Sequence, residues 1–190
     1  MNKDRAIVKA LPEYLDVPEV LGLITHAPHT DARLLILVQW RTGVRVSEAL
    51  SLRVSDFQTD SDHPILRVRR GKGKKTRLVP VHPELQAAVM AFQGYRVRAG
   101  GRDAPLWTVT RVTAWNWVKA AASGATAHGI LDPGRKVGTH TLRHSAARHW
   151  LASGVPVNVV SKWLGHAGIQ QTLVYLEILP DPVGYMERVP

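Results

Sequence analysis

The chain has 190 residues, no cysteine, 45% apolar side chains and a formal net charge of +10. That apolar content suits one core-forming domain. The lack of cysteine excludes disulfides and thiolate metal sites, and the positive excess calls for a polyanionic partner, nucleic acid before membrane because the basic residues are dispersed.

With no apolar run approaching about 18 residues and a charged N-terminus, there is neither a spanning helix nor a signal peptide, and the expected location is the cytoplasm. Residues 1–15 read as an irregular arm. Asp16 caps a helix beginning Val17-Pro18-Glu19, with Val20, Leu21, Leu23 and Ile24 on its apolar side, that ends by Pro28. A second helix starts at Thr30 or Asp31. Its run Leu34 to Val38 with Trp40 is apolar nearly all round, which predicts a central helix. It stops at Thr42-Gly43, and Ser47-Glu48 open another helical turn, so Arg45 falls in a tight connection between two buried helices. An anion should meet an arginine placed there, either an acid of this chain such as Glu48 or a ligand.

From Pro64 the period changes to two. Ile65, Arg67 and Arg69 alternate with Leu66, Val68 and Arg70; GKGKKT follows, then Arg77-Leu78-Val79-Pro80-Val81, which predicts a β-hairpin with a basic tip. Arg69, Arg70, Lys74, Lys75 and Arg77 crowd one end of it, suited to a phosphate backbone. Helices are predicted from His82-Pro83-Glu84 to about Ala99, with Leu85, Ala88, Val89 and Phe92 inward, and over 110–127, with Val112, Trp115, Val118, Ala121 and Ala122 inward. Pro105-Leu106-Trp107 reads as extended and 128–138 as a loop. Trp107, Trp115, Trp150 and Trp163 are expected in the core.

Residues 139–175 read as three short helices. The first carries Leu142, Ala146, Ala147, Trp150 and Leu151 and stops at Gly154-Val155-Pro156; the second carries Val157, Val160, Trp163 and Leu164 and stops at Gly165; the third carries Ile169, Leu173 and Leu176. His140 and Arg143, three residues apart, share a face. A zinc pair at His140 and His144 fits poorly, because the arginine between them would repel a cation and no third ligand is suggested nearby.

Five features thus occur in order: TGVRVSEAL at 42–50, RRGKGKKTRLVP at 69–80, HTLRH at 140–144, LGH at 164–166, and Tyr175. Together they resemble the catalytic domain of the tyrosine recombinases, the phage integrase family, over roughly residues 15–180. The resemblance implies an α+β fold, predominantly helical with a small antiparallel sheet, acting on duplex DNA without metal or nucleotide cofactor. It matches Arg45 to the first arginine, Lys72 to the hairpin lysine, His140 and Arg143 to the H-x-x-R pair, His166 to the later histidine and Tyr175 to the nucleophile. His144 matches a second histidine of the motif and is read as structural.

The chemistry accounts for these residue types. A phenol, ordinarily titrating near about 10, is a poor nucleophile until its proton can leave, yet a phosphotyrosyl link stores the phosphodiester energy for reversal. Two arginines clamp the non-bridging oxygens with charge-assisted bonds, and Lys72 is implied as the acid for the departing 5′ oxygen. The expected activity is site-specific cutting and rejoining of DNA through a 3′-phosphotyrosyl intermediate, for integration, excision or inversion. A type IB topoisomerase-like relaxer and a non-catalytic DNA-binding regulator are the rival classes. Expected partners are duplex DNA with specific sites and further copies of the chain on that DNA, with an accessory protein or domain in reserve. Most members carry a helical core-binding domain ahead of the catalytic one. Here the expected partition is an arm over 1–15 and a catalytic domain over 16–190 without a separate core-binding domain, which fits a short enzyme like the fimbrial phase-variation invertases, a fragment, or a chain that depends on a partner.

Overall fold

A run of side chains buried on every side builds the centre of the molecule. The structure, a computed structural model, describes residues 11–59, 61–69, 76–101 and 103–179, with the backbone alone for 93–100. Helix α1 spans Val17–Thr25 and α2 spans Thr30–Thr42; in α2, Leu34, Leu35, Ile36, Leu37, Val38 and Trp40 are all at most 5% exposed. Each such apolar side chain contributes about 1.5–3 kcal/mol by leaving water. α2 meets α1, α4 (Pro83–Gly100), α5 (Arg111–Ala127) and α6 (Thr139–Ala152), as the sequence led us to expect of a central helix.

The ends of the first helices follow local chemistry. The Glu19 side chain accepts the Asp16 N–H at the start of α1, and His29 Nδ1 accepts the Ala32 N–H at the start of α2. Gly43, with φ of 60°, closes α2 in the left-handed conformation. Helix α3, Val46–Leu50, starts at once with Arg45 as its N-cap.

Strands β1 (Phe57–Gln58), β2 (Ile65–Val68) and β3 (Arg77–Pro80) form an antiparallel sheet in that order, with Leu66 opposite Val79 and Val68 opposite Arg77. The period of two decides the faces: Leu66, Val68 and Val79 are buried while Arg67 and Leu78 face out. Residues 104–106 run extended beside 52–54, through Val54 N–H to the Ala104 carbonyl and Leu106 N–H to the Leu52 carbonyl. The described residues are therefore predominantly helical with one small sheet.

Helix α7 spans Val157–Leu164, and α8 is only Gln170–Leu173, followed by a 3₁₀ turn at Leu176–Ile178. The stripe Ile169, Leu173, Leu176 does not seat this last segment. Ile169 and Leu176 are 40% and 41% exposed, while Thr172, Tyr175 and Ile178 point inward, because burying the tyrosine and the threonine rotates the segment away from its apolar stripe. On α5, Val112 and Trp115 are likewise exposed although both were expected inward; Ala114, Val118 and Ala121 make the buried face instead. Trp107 lies in the core, and Trp150 and Trp163 are half-buried against it in edge-to-face contact. The end of the N-terminal segment is held: Leu15 is 2% exposed, and its N–H donates to Ser145 Oγ on α6.

Candidate active site

Two chain turns and one helix face bring the polar residues together. Gly43 sits so close to α7 and α6 that a Cβ there would lie 2.7 Å from Leu164 Cδ2 and 3.0 Å from the Trp150 ring. This approach lets one side chain bridge both helix ends. Arg143, 3% exposed on α6, donates from Nη1 to the Gly43 carbonyl at 2.6 Å and from Nη2 to the Leu164 carbonyl at 2.9 Å. Both acceptors lie at helix C-termini, the negative end of the backbone dipole. Burial, and then the charges of Arg45 and Arg77, lower its pKa to about 10, so it stays cationic near neutrality.

Arg45, with its side chain 39% exposed, stands at the start of α3, where its backbone N–H donates to Glu48 Oε2 and its Nη1 lies 3.6 Å from Glu48 Oε1. Glu48 was read only as one of the acids that could meet Arg45; in the structure it is the hub of this corner. Arg77 donates to both of its carboxylate oxygens at 2.7 and 2.8 Å and, through Nε, to the Trp163 carbonyl. Burial alone would raise the Glu48 carboxyl, but hydrogen bonds from Arg77 and the Arg45 backbone, with both cationic charges, outweigh it and hold it at about 2. Arg77, expected to face DNA, is thus only 9% exposed in its side chain and occupied by Glu48 and Trp163. A cation next to a basic tip reads as part of that tip in sequence; its partner lies 29 residues away on α3.

His140 stands exposed in the first turn of α6, and its ring stacks at 6.5 Å from that of His144 one turn on. His166 follows Gly165, whose φ of 68° ends α7, and its Nδ1 lies 2.7 Å from Thr172 Oγ1, a fully buried hydroxyl. Tyr175, 3% exposed, follows α8; its ring lies 6.5 Å from that of His166 and nearly parallel to it. Burial raises its phenol, against the charges of Arg143 and Arg45.

His144, which the sequence reads as structural, has its Nδ1 2.8 Å from Tyr175 Oη. Burial, His140 and Arg143 depress it to about 4; burial, Arg143, Arg45, Arg77 and His144 do the same for His166. Both imidazoles are therefore neutral near pH 7 and offer one acceptor and one donor each. The place of His144 one helical turn on from His140 was the available signal; the partner was not visible.

Arg45, His140, Arg143, His166 and Tyr175 are thus drawn into one region from the α2–α3 turn, α6 and the segment after α7. Lys72, Arg70, Lys74 and Lys75 lie outside the described residues. Arg69 is described: its Nε pairs with the buried Asp56 at 2.7 Å while about half the side chain stays exposed. Among the described residues no group of three or more His, Cys, Asp or Glu could hold a metal ion, and no helix is long and apolar enough to cross a membrane.

The model of the phage integrase family matches residues 13–180. A protein named Resolvase from Escherichia coli strain K12 is 32% identical over 94% of this chain and 76% of its own length. Tyrosine recombinase XerD of Corynebacterium glutamicum is 35% identical over 93% of this chain, which spans 60% of that relative. The crystal structure of XerA recombinase superposes with a TM-score of 0.79 at 29% identity, over 96% of this chain and 65% of the other.

Proposed function

The chain belongs to the phage integrase family, and from that membership we propose that it is a site-specific DNA recombinase working through a 3′-phosphotyrosyl intermediate. The observation that carries this reading is the buried Tyr175 docked against α6, its Oη 2.8 Å from Nδ1 of His144, the residue next to Arg143, so that the charges of Arg143 and Arg45 both act on its phenol. Among the described residues no carboxylate bonds Arg143, whose donors go to two carbonyls. A phosphodiester entering between the arginines supplies the missing negative charge, and its non-bridging oxygens gain charge-assisted bonds that strengthen as charge develops in the transition state.

Tyr175 Oη attacks phosphorus in line and the 5′-hydroxyl leaves; attack by a different 5′-hydroxyl reverses the step on a new partner strand. Lys72 supplies the proton to the leaving oxygen. His140 and His166 donate to the phosphate, the latter with its ring fixed through Thr172. Arg69, Arg70, Lys74 and Lys75 line the phosphate backbone beside the hairpin, without Arg77. Residues 16–190 form the catalytic domain, and several copies assemble on duplex DNA carrying specific sites, with an accessory protein or domain where a second DNA grip is needed. Strand exchange takes place in the cytoplasm, at the nucleoid.

The test uses a nicked duplex suicide substrate on a denaturing gel, its site taken from repeats flanking the coding region. The wild-type protein should give a covalent protein–DNA band that Tyr175→Phe lacks while still shifting DNA on a native gel. A band that survives in Tyr175→Phe overturns the assignment.

A further inference from the structure

We propose that His144 is the group that takes the proton of the nucleophile, which makes it a catalytic residue; this rests on the function proposed above. Its Nδ1 lies 2.8 Å from Tyr175 Oη, at hydrogen-bonding distance from the atom that must bond to phosphorus. The other imidazoles are placed differently. The Nδ1 of His166 is engaged with Thr172 Oγ1, and its ring lies nearly parallel to the Tyr175 ring with centroids 6.5 Å apart. His140 is exposed, one helical turn from His144. Among the described residues, the hydrogen bond of the phenol oxygen is made with His144.

The surroundings fit an acceptor that works only when substrate is present. His144 faces His140 and Arg143 on its own helix, Tyr175 after α8 and His166 after α7. Without DNA it is a neutral base beside a phenol that holds its proton, so the resting pair is uncharged. A phosphodiester between Arg143 and Arg45 offsets the positive charge that weakens the imidazole as a base, and once Oη is bonded to phosphorus it has no use for the proton. In the step, Oη–P forms and P–O5′ breaks. The phenol proton passes to His144 Nδ1, and the leaving oxygen takes one from the general acid. An imidazolium beside Arg143 is disfavoured, which favours returning the proton to the phenol when a 5′-hydroxyl attacks and the strand is rejoined.

Single-turnover cleavage of the nicked substrate tests this, with native-gel binding and thermal denaturation of each variant alongside. His144→Gln keeps the hydrogen-bonding capacity and cannot accept a proton. Cleavage should fall about 10²–10⁴-fold with binding unchanged. A 5′-phosphorothiolate substrate, whose sulfur leaves without a proton, should not restore the rate. Imidazole added to His144→Ala should restore part of it, a response that a merely structural histidine would not give. His144→Asn, which puts an amide near the Nδ1 position, serves if the glutamine variant does not fold. Cleavage by either folded variant within about threefold of wild type overturns the proposal, as does full rescue by the sulfur leaving group. Failure of the wild-type protein to form any adduct would instead overturn the recombinase reading itself.

Discussion

Arg77 and Glu48 face each other side on, two guanidinium nitrogens on two carboxylate oxygens at 2.7 and 2.8 Å, joining β3 to α3 at a point where both side chains are nearly buried. The same carboxylate takes the Arg45 backbone N–H, so one acid fixes the start of α3 and the strand that leads out of the basic hairpin.

Removing one partner of that pair leaves the other charge buried. Glu48→Ala should lower the unfolding free energy by about 3–5 kcal/mol, and Arg77→Ala by a similar amount. The double variant should lose clearly less than the sum of the two, because neither charge is then stranded. Urea denaturation of the four proteins gives the cycle, and strict additivity would refute the coupling.

Arg143→Lys should fold but cut poorly. A lysine can satisfy at most part of what the fork gives to the Gly43 and Leu164 carbonyls, and it cannot hold a phosphate with two parallel bonds. We expect cleavage to drop about 10²–10³-fold. Gel-shift affinity should change much less, since binding is spread over many phosphates. An equal loss in both assays would show that the arginine serves binding alone.

Gly43→Ala probes the corner beneath the arginines. The residue has a φ of 60°, and an added Cβ would meet Leu164 and Trp150 at 2.7 and 3.0 Å. Strain and overlap together should cost about 2–4 kcal/mol. Because the Gly43 carbonyl holds Arg143, cleavage by the surviving folded protein should fall as well. The informative comparison is Gly134→Ala, where nothing lies within 4 Å of the added atom and stability should be close to wild type.

Stability should fall on acidification in two separate windows. His144 and His166 titrate ordinarily at 6.5 but near 4 when folded, so below about pH 6.5 the unfolded chain takes up protons that the folded one refuses. Their contribution is complete above pH 6.5 and is lost as the pH drops toward 4. For Glu48 the ordinary value is 4.5 and the folded one about 2, so its contribution is present above about 4.5 and lost as the pH falls through 2. Urea midpoints measured against pH should flatten in the upper window for His166→Asn and in the lower for Glu48→Gln. Parallel curves for all three proteins would disprove the assignment.

What the sequence made legible was whatever depends on near neighbours. The all-apolar run of α2 announces a central helix, the alternation at 65–68 gives the faces of β2, and the three-residue step from His140 to Arg143 puts both on one side of α6. Side-chain contacts across the fold were not legible. Whether His144 supports α6 or meets Tyr175 depends on where a segment 31 residues later packs, and that segment is seated by Thr172, Tyr175 and Ile178 rather than by its more apolar stripe. Arg77 shows the same limit with the opposite sign: its charge was plain, but the carboxylate that claims it was far upstream. Trp115 and Val112 on α5 misled because apolar residues at helical spacing need not all be buried when small alanines can make the face instead.

The two carbonyls that hold Arg143 have one more consequence. A guanidinium held by a carboxylate would have to break an ion pair before it could take hold of a phosphate, and its strength would be spent on the exchange. Backbone dipoles orient the cation without neutralising it. Folding has therefore already stripped and aimed this charge, so under the proposed function a scissile phosphate would meet a pre-organised site with little left to rearrange at the moment of attack.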